Sequence, residues 1–250
     1  MKWTSHAEIS SCVACALGLS DDLQRLLVEA SVDPDRNPLH MKENEQGGRQ
    51  GVRIRHHSPP RSEIMKLLWK ARIAQLHGRE EDAVWCLGRA LHYVQDVHVR
   101  TGPYMISHDQ AESDIGRLRA DPSNAVAGAE AAAASPHYVR ACMARAKPIR
   151  DPRLALDSAT LLSSAIASAT LSNRSPSPST RDRWKREGRR HRFVVLPLAI
   201  GLPVVLAFGA FVVGVPHYSV LGIPVFLAAI CSDSQYYYDR EEARWFGMSL

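Results

Sequence analysis

At 250 residues the chain is long enough for one sizeable domain, or for one domain with an appendage. Its formal charge of +5 lies in one stretch, because positions 181–192 hold seven Arg and Lys against two acids. The remainder is balanced, which excludes a nucleic-acid footprint spread over the whole surface. Five cysteines (Cys12, Cys15, Cys86, Cys142 and Cys231) leave one unpaired in any disulfide scheme, as fits a reducing compartment, and the first residues lack the apolar run of a signal peptide.

In chain order, Ile9, Val13, Ala16 and Leu17 recur at helical spacing over 7–18, and Leu23, Leu26 and Leu27 form one face over 21–30. Cys12 and Cys15 on the first helix read as two small buried residues, since no second CxxC accompanies them. Residues 33–60, rich in Pro, Gly, Asn and charge, read as a long irregular loop of the kind that carries function. A helix over 62–77 turns Met65, Leu68, Trp69 and Ile73 inward, and His77 before Gly78 suits its C-terminal dipole. The next helix, 80–97, has Val84, Leu87, Leu91 and Val94 as its apolar stripe, with His92 and Asp96 beside it. Gly102-Pro103 breaks it, a further helix carries His108 and Glu112, and 125–134, 138–146 and 154–171 complete a helical set. No repeat with a period of 20 to 50 residues is present.

Residues 172–180 form a polar linker that leads into the basic strip. From 193 to 232 there are 40 residues without Asp, Glu, Lys or Arg. One membrane span needs about 20, so the stretch predicts a transmembrane hairpin, roughly 193–213 and 216–231, with a tail at 233–250. The basic strip ahead of it places the preceding domain, 1–171, on the cytoplasmic face by the positive-inside rule. The expected architecture is thus all-α, a multi-helix domain followed by a multi-pass anchor in the cell membrane.

The most informative chemistry is the pair His92-x3-Asp96 followed by His108-x3-Glu112. On a helix, i, i+4 spacing sends both groups to one side, and imidazole nitrogens with bridging carboxylates are what a multinuclear metal site requires. Read from the N-terminus, the candidates run Trp3 and His6, Asp33 and Asp35, His56 and His57, His92 and Asp96, then His108 and Glu112.

That order, and above all the segment Leu87-Gly88-Arg89-Ala90-Leu91-His92-Tyr93-Val94-Gln95-Asp96, resembles the zinc-dependent phospholipase C family, which shares its helical phospholipase C/P1 nuclease fold with single-strand nucleases. The resemblance covers about residues 1–115 by motif. It implies two or three Zn2+ ions: one held by His92, Asp96 and either His56 or His57, a second held by His6 and bridged by Asp96, and a third held by His108 and Glu112. It also implies that an acid in Asp33-Pro34-Asp35, preferably Asp35, orients or deprotonates the attacking water. The chain departs from the family pattern in three places. Trp3, whose family counterpart presents its amine and carbonyl to zinc, follows Met1-Lys2; Gly102 stands where a further ligand His is expected, with His98 the nearest substitute if the helix ends early; and His57 replaces an aromatic after His56.

The expectation is a membrane-anchored zinc phosphodiesterase acting on a phosphodiester, with a phospholipid of the adjoining bilayer as substrate. An aromatic content of 7% disfavours the stacking platforms that single-strand nucleases use, so no specific nucleic-acid partner is expected. Two other readings remain: a catalytically degenerate binder of metal or phosphate with the same fold, and a phosphohydrolase of HD type built on His108-Asp109.

Overall fold

The protein is described here as a computed structural model covering residues 1–36, 41–43, 49–51, 60–99, 105–215, 222–231 and 233–249. At 41–43, 49–51, 105–109, 225 and 228–230 the description extends to the backbone alone. Among the described residues the regular structure is helical, apart from a three-residue antiparallel ladder of β1 (Met41–Glu43) with β2 (Arg49–Gly51). It divides into two compact units, Met1–Asn173 and Arg174–Leu250.

The first unit contains α1 (Trp3–Ala16), α2 (Asp21–Arg36), α3 (Arg61–Leu76), α4 (Glu80–Asp96), α5 (Met105–Ile115), α6 (Pro122–Glu130), α7 (Pro136–Arg145) and α8 (Pro152–Leu171). Its core joins the apolar face of α4 (Val84, Leu87, Leu91, Val94) to Ile9 and Val13 of α1, Leu27 and Ala30 of α2, Leu68 of α3 and Ile166 of α8, all buried. Glycine permits two close approaches. A Cβ on Gly88 would lie 2.6 Å from the Cβ of Ala30, so α4 rests directly on α2. A Cβ on Gly128 would collide with the carbonyl oxygen of Leu161, so α6 rests directly on α8.

α8 is long and apolar enough to cross a membrane, yet 67% of its apolar window is buried. Its hydroxyls are satisfied inside: Ser164 and Ser168 donate to the carbonyls of Ala125 and Ala129, at 2.6 and 3.1 Å. It is a core helix. The buried guanidinium of Arg72 closes its C-terminal end by donating to the carbonyls of Thr170 and Ser172, at 3.1 and 2.6 Å. Burial pulls the Arg72 pKa down to about 10, which leaves the group charged at neutral pH.

Several sequence expectations are corrected. The long loop starts later than position 33, because α2 runs on to Arg36 through Pro34, carried by burial of Leu27, Ala30, Ser31 and Val32. α1 begins at Trp3, whose side chain is exposed, and Ile73 faces outward rather than inward. Cys15 is exposed and all five cysteines are free. Helices α6, α7 and α8 begin earlier than their apolar pattern indicates, each at a proline preceded by a capping Asp121, Ser135 or Asp151.

The second unit departs further. The basic strip is helical: most of it lies on α9 (Pro178–Arg190), which is capped by Ser177 and takes in the last three residues of the expected polar linker. Through a π-helical turn at His191–Val195 it continues into α10 (Leu196–Val212), giving one unbroken helix of 35 residues, Pro178–Val212, long and apolar enough to cross a membrane. At 1.5 Å per residue it is about 52 Å long, enough for an apolar span and a polar extension. Only 11% of its apolar window is buried. The expected second span, 216–231, falls partly outside the described residues; its described part, α11 (Gly222–Cys231), packs Gly222 against Pro203 of α10. α12 (Ser234–Trp245) returns along α9, burying Trp184 and Trp245, with Trp184 and Phe246 5.8 Å apart.

Candidate metal centre

Three helices of the first unit bring four side chains together. His6 comes from α1, Asp35 from the last turn of α2, and His92 and Asp96 from adjacent turns of α4. Ligand atoms of His6, Asp35 and His92 all lie within 4.8 Å of one another, a group able to hold a metal ion. Both imidazoles are fully buried, with ring centroids 4.2 Å apart.

Their tautomers follow from their partners. Nδ1–H of His6 donates to Oε1 of Gln95 at 2.6 Å, and Nδ1–H of His92 donates to the carbonyl of Ser31 at 2.9 Å. Each Nε2 is therefore left with its lone pair, and each is buried with no hydrogen-bond partner. Gln95 is held in turn by Ser163, to which its Nε2 donates at 3.4 Å. Acceptors on Nδ1 that leave Nε2 bare are the outer-shell arrangement of metal-binding histidines.

The two lone pairs face carboxylates. Asp96 presents Oδ1 to Nε2 of His6 at 3.2 Å and Oδ2 to Nε2 of His92 at 3.3 Å. Acceptor against acceptor at this range is repulsive unless a cation or a proton lies between them. Protons are disfavoured at His6, where burial and then the neighbouring His92 hold the imidazole pKa below its ordinary value. Ligands at ~2.1 Å on a tetrahedral zinc are ~3.4 Å apart, and both Asp96 distances match that edge. Asp35 is farther, with Oδ2 4.0 Å from His6 and Oδ1 3.8 Å from His92, and is partly open to solvent. His6, Asp35 and His92 could hold a metal ion, with Asp96 beside both imidazoles.

The α-amino group of Met1 also enters this cluster. It donates to Oδ1 of Asp96 and lies 3.0 Å from Oε1 of Glu112 on α5. Burial works to lower the pKa of the amine, but the two carboxylates outweigh it and raise it. Burial likewise works to raise the Asp96 pKa; the positive amine, with the neighbouring imidazoles of His6 and His92, prevails and holds it well below the usual carboxylate range.

The sequence candidates sort as follows. His6, His92, Asp96 and Asp35 converge, and Glu112 joins them through the Met1 amine. Asp33 turns away to pair with Arg89 at 3.4 Å, since neighbours two apart on a helix diverge by roughly 200°. Trp3 is exposed, and the backbone nitrogen at the cluster is that of Met1. α4 does end at Asp96, so His98 escapes the helical direction that would aim it away; its Nδ1–H donates to the Val94 carbonyl at 3.0 Å and its buried Nε2 has no hydrogen-bond partner. Burial lowers its pKa to about 4. His98 joins no group of three ligands among the described residues. His56 and His57 lie outside the described residues, as do His40, Arg53, Arg55, Arg100 and Gly102, and His108 is described by its backbone on α5 alone. His77 caps α3, its Nδ1–H donating to Ile73, as its place before Gly78 suggests.

Sequence reasoning missed Gln95, Ser31 and the Met1 amine. Gln95 could have been suspected from its place beside Asp96. The Ser31 carbonyl and the amine carry no sequence signal, because only the packing of α2 and α1 on α4 brings them there. No family model, no curated protein and no solved structure matches the chain.

Proposed function

We propose that the protein is a zinc-dependent phosphodiesterase resembling phospholipase C, anchored in a membrane by the helix Pro178–Val212, with a phospholipid as its favoured substrate. The observation that carries this reading is the convergence of ligand atoms of His6, Asp35 and His92 within 4.8 Å of one another, with the two oxygens of Asp96 at 3.2 and 3.3 Å from the two Nε2 atoms. His6, His92 and Asp96 would hold two ions, completed at the His92 side by His56 or His57; Glu112, with His108 and His98, would serve a third. Zinc, when bound, supplies Lewis acidity toward phosphoryl oxygens and brings the ionisation of water toward neutrality.

The chain's own residues then divide the work. Gln95 and the Ser31 carbonyl fix the ring planes of His6 and His92. Asp35, partly open and 4.0 and 3.8 Å from the Nε2 atoms of His6 and His92, accepts the proton of the attacking water. The membrane helix keeps the site near lipid and raises the effective substrate concentration.

The direct test is hydrolysis of a chromogenic phosphodiester by the full chain in detergent with added zinc. Turnover that Asp96→Asn abolishes supports the reading; a folded, zinc-loaded protein without turnover overturns it. One observation favours the second reading, a degenerate binder: the Met1 amine already supplies a positive partner to Asp96 and Glu112. That reading expects at most one zinc and no hydrolysis.

A further inference from the structure

A cavity of about 760 Å³ opens in the second unit where α9 gives way to the apolar helix, bordered by Asp182, Lys185, Arg186, Arg189, Arg192 and Phe193. The four cations and Phe193 fall within an arc of roughly 120° around the helix, since positions 185, 189 and 192 almost superimpose at 3.6 residues per turn. Their neighbours are neutralised internally: Arg183 pairs with buried Asp239 at 3.4 Å, and Arg190 pairs with Glu187 at 3.2 Å. Among the described residues, Lys185, Arg186, Arg189 and Arg192 make no ion pair. A surplus of three positive charges over Asp182 thus faces one cavity, at the point where the exposed apolar side chains Phe193, Val194, Leu196 and Leu198 begin.

We propose that this cavity binds the phosphate headgroup of an anionic membrane lipid, with the acyl chains lying along α10. The inference rests on reading Pro178–Val212 as a membrane helix. The charge surplus sets the sign of the ligand, and the guanidinium groups suit phosphate oxygens, which they can bind two at a time. Phe193 and the exposed apolar surface after it select a lipid over a free phosphate, because a soluble anion gains nothing from them. The helix that carries these cations is braced from another side: His191 lies 2.5 Å from buried Asp233 and stacks on Tyr236 of α12 at 3.7 Å. The site is therefore held by packing independent of the metal centre.

The test reconstitutes the full chain in nanodiscs of phosphatidylcholine with a minor share of phosphatidylglycerol, and counts retained lipids by native mass spectrometry. Wild type should retain phosphatidylglycerol preferentially. Arg189→Gln/Arg192→Gln should weaken that preference roughly thirtyfold, each cation near a membrane surface contributing about a factor of five. The control Arg181→Gln/Arg190→Gln removes the same charge outside the cavity and should leave most of the preference intact. An equal loss in both pairs would reduce the effect to diffuse surface charge and overturn the proposal. Displacement of the lipid by glycerol 3-phosphate at low concentration would assign the site to a soluble phosphate and also overturn it. Failure of wild type to enter nanodiscs would sink the membrane reading, and this proposal with it.

Discussion

Gly88→Ala tests whether the α2–α4 contact positions the metal site. The added Cβ would stand 2.6 Å from the Cβ of Ala30, 2.8 Å from the carbonyl oxygen of Leu27 and 3.1 Å from the amide nitrogen of Ser31. Carbon pairs settle at about 3.5–4.0 Å, so α2 must retreat by roughly 1 Å. Two of the three obstructing atoms are backbone and cannot rotate aside. Replacing a helix-interior glycine by alanine gains about 1 kcal/mol in propensity, while overpacking costs about 1–3 kcal/mol. Backbone obstruction puts the cost at the upper end, for a net loss of about 2 kcal/mol. The same retreat stretches the 2.9 Å bond from His92 to the Ser31 carbonyl past bonding range and withdraws Asp35 from both imidazoles. Losing such an outer-shell bond weakens metal binding about 10- to 100-fold. Thermal melting followed by circular dichroism, with and without chelator, reads the first effect, and zinc titration against a competing dye reads the second. A variant as stable as wild type that binds zinc equally well would refute the argument that this contact sets the site.

Further outcomes follow from single contacts. Arg72→Met leaves the buried carbonyl of Thr170 without its charged donor and should cost about 2 kcal/mol, or roughly 6 °C in melting temperature; an unchanged melt would mean that α8 needs no such closure. Asp35→Asn should keep the bound zinc and lower turnover by about 10²–10⁴-fold, whereas Asp33→Asn, which loses a pairing with Arg89, should leave turnover unchanged. Reversed effects would exchange their roles. Glu112→Gln should lower activity and Asp109→Asn should not; the opposite result in steady-state assays would favour an HD-type site.

The legible part of the centre was the part encoded locally. His92 and Asp96 lie on adjacent turns of one helix, and their spacing places them together whatever the rest of the chain does. That His6 joins them depends on α1 crossing α4, and that Asp35 rather than Asp33 faces inward depends on α2 surviving Pro34. Local propensity argues against that survival, and burial of Ala30 and Val32 reverses it. The starts of α6 to α9 were legible in principle, since Asp121-Pro122, Ser135-Pro136, Asp151-Pro152 and Ser177-Pro178 each pair a cap with an N1 proline. Apolar periodicity misses them because their first residues carry no apolar repeat. Two apolar runs of similar length also meet different fates. α8 is interior because small residues such as Gly128 let α6 close over it, whereas α10 remains uncovered. Hydropathy does not register that difference.

The central claim is that His6, His92 and Asp96 hold metal, and the most direct measurement is zinc per chain, by elemental mass spectrometry, on the full protein purified without chelator. Two or three equivalents in wild type, falling by at least one in His92→Ala and in His6→Ala, is the expected result. A folded wild-type protein that carries no zinc and acquires none on dialysis against it would contradict the claim.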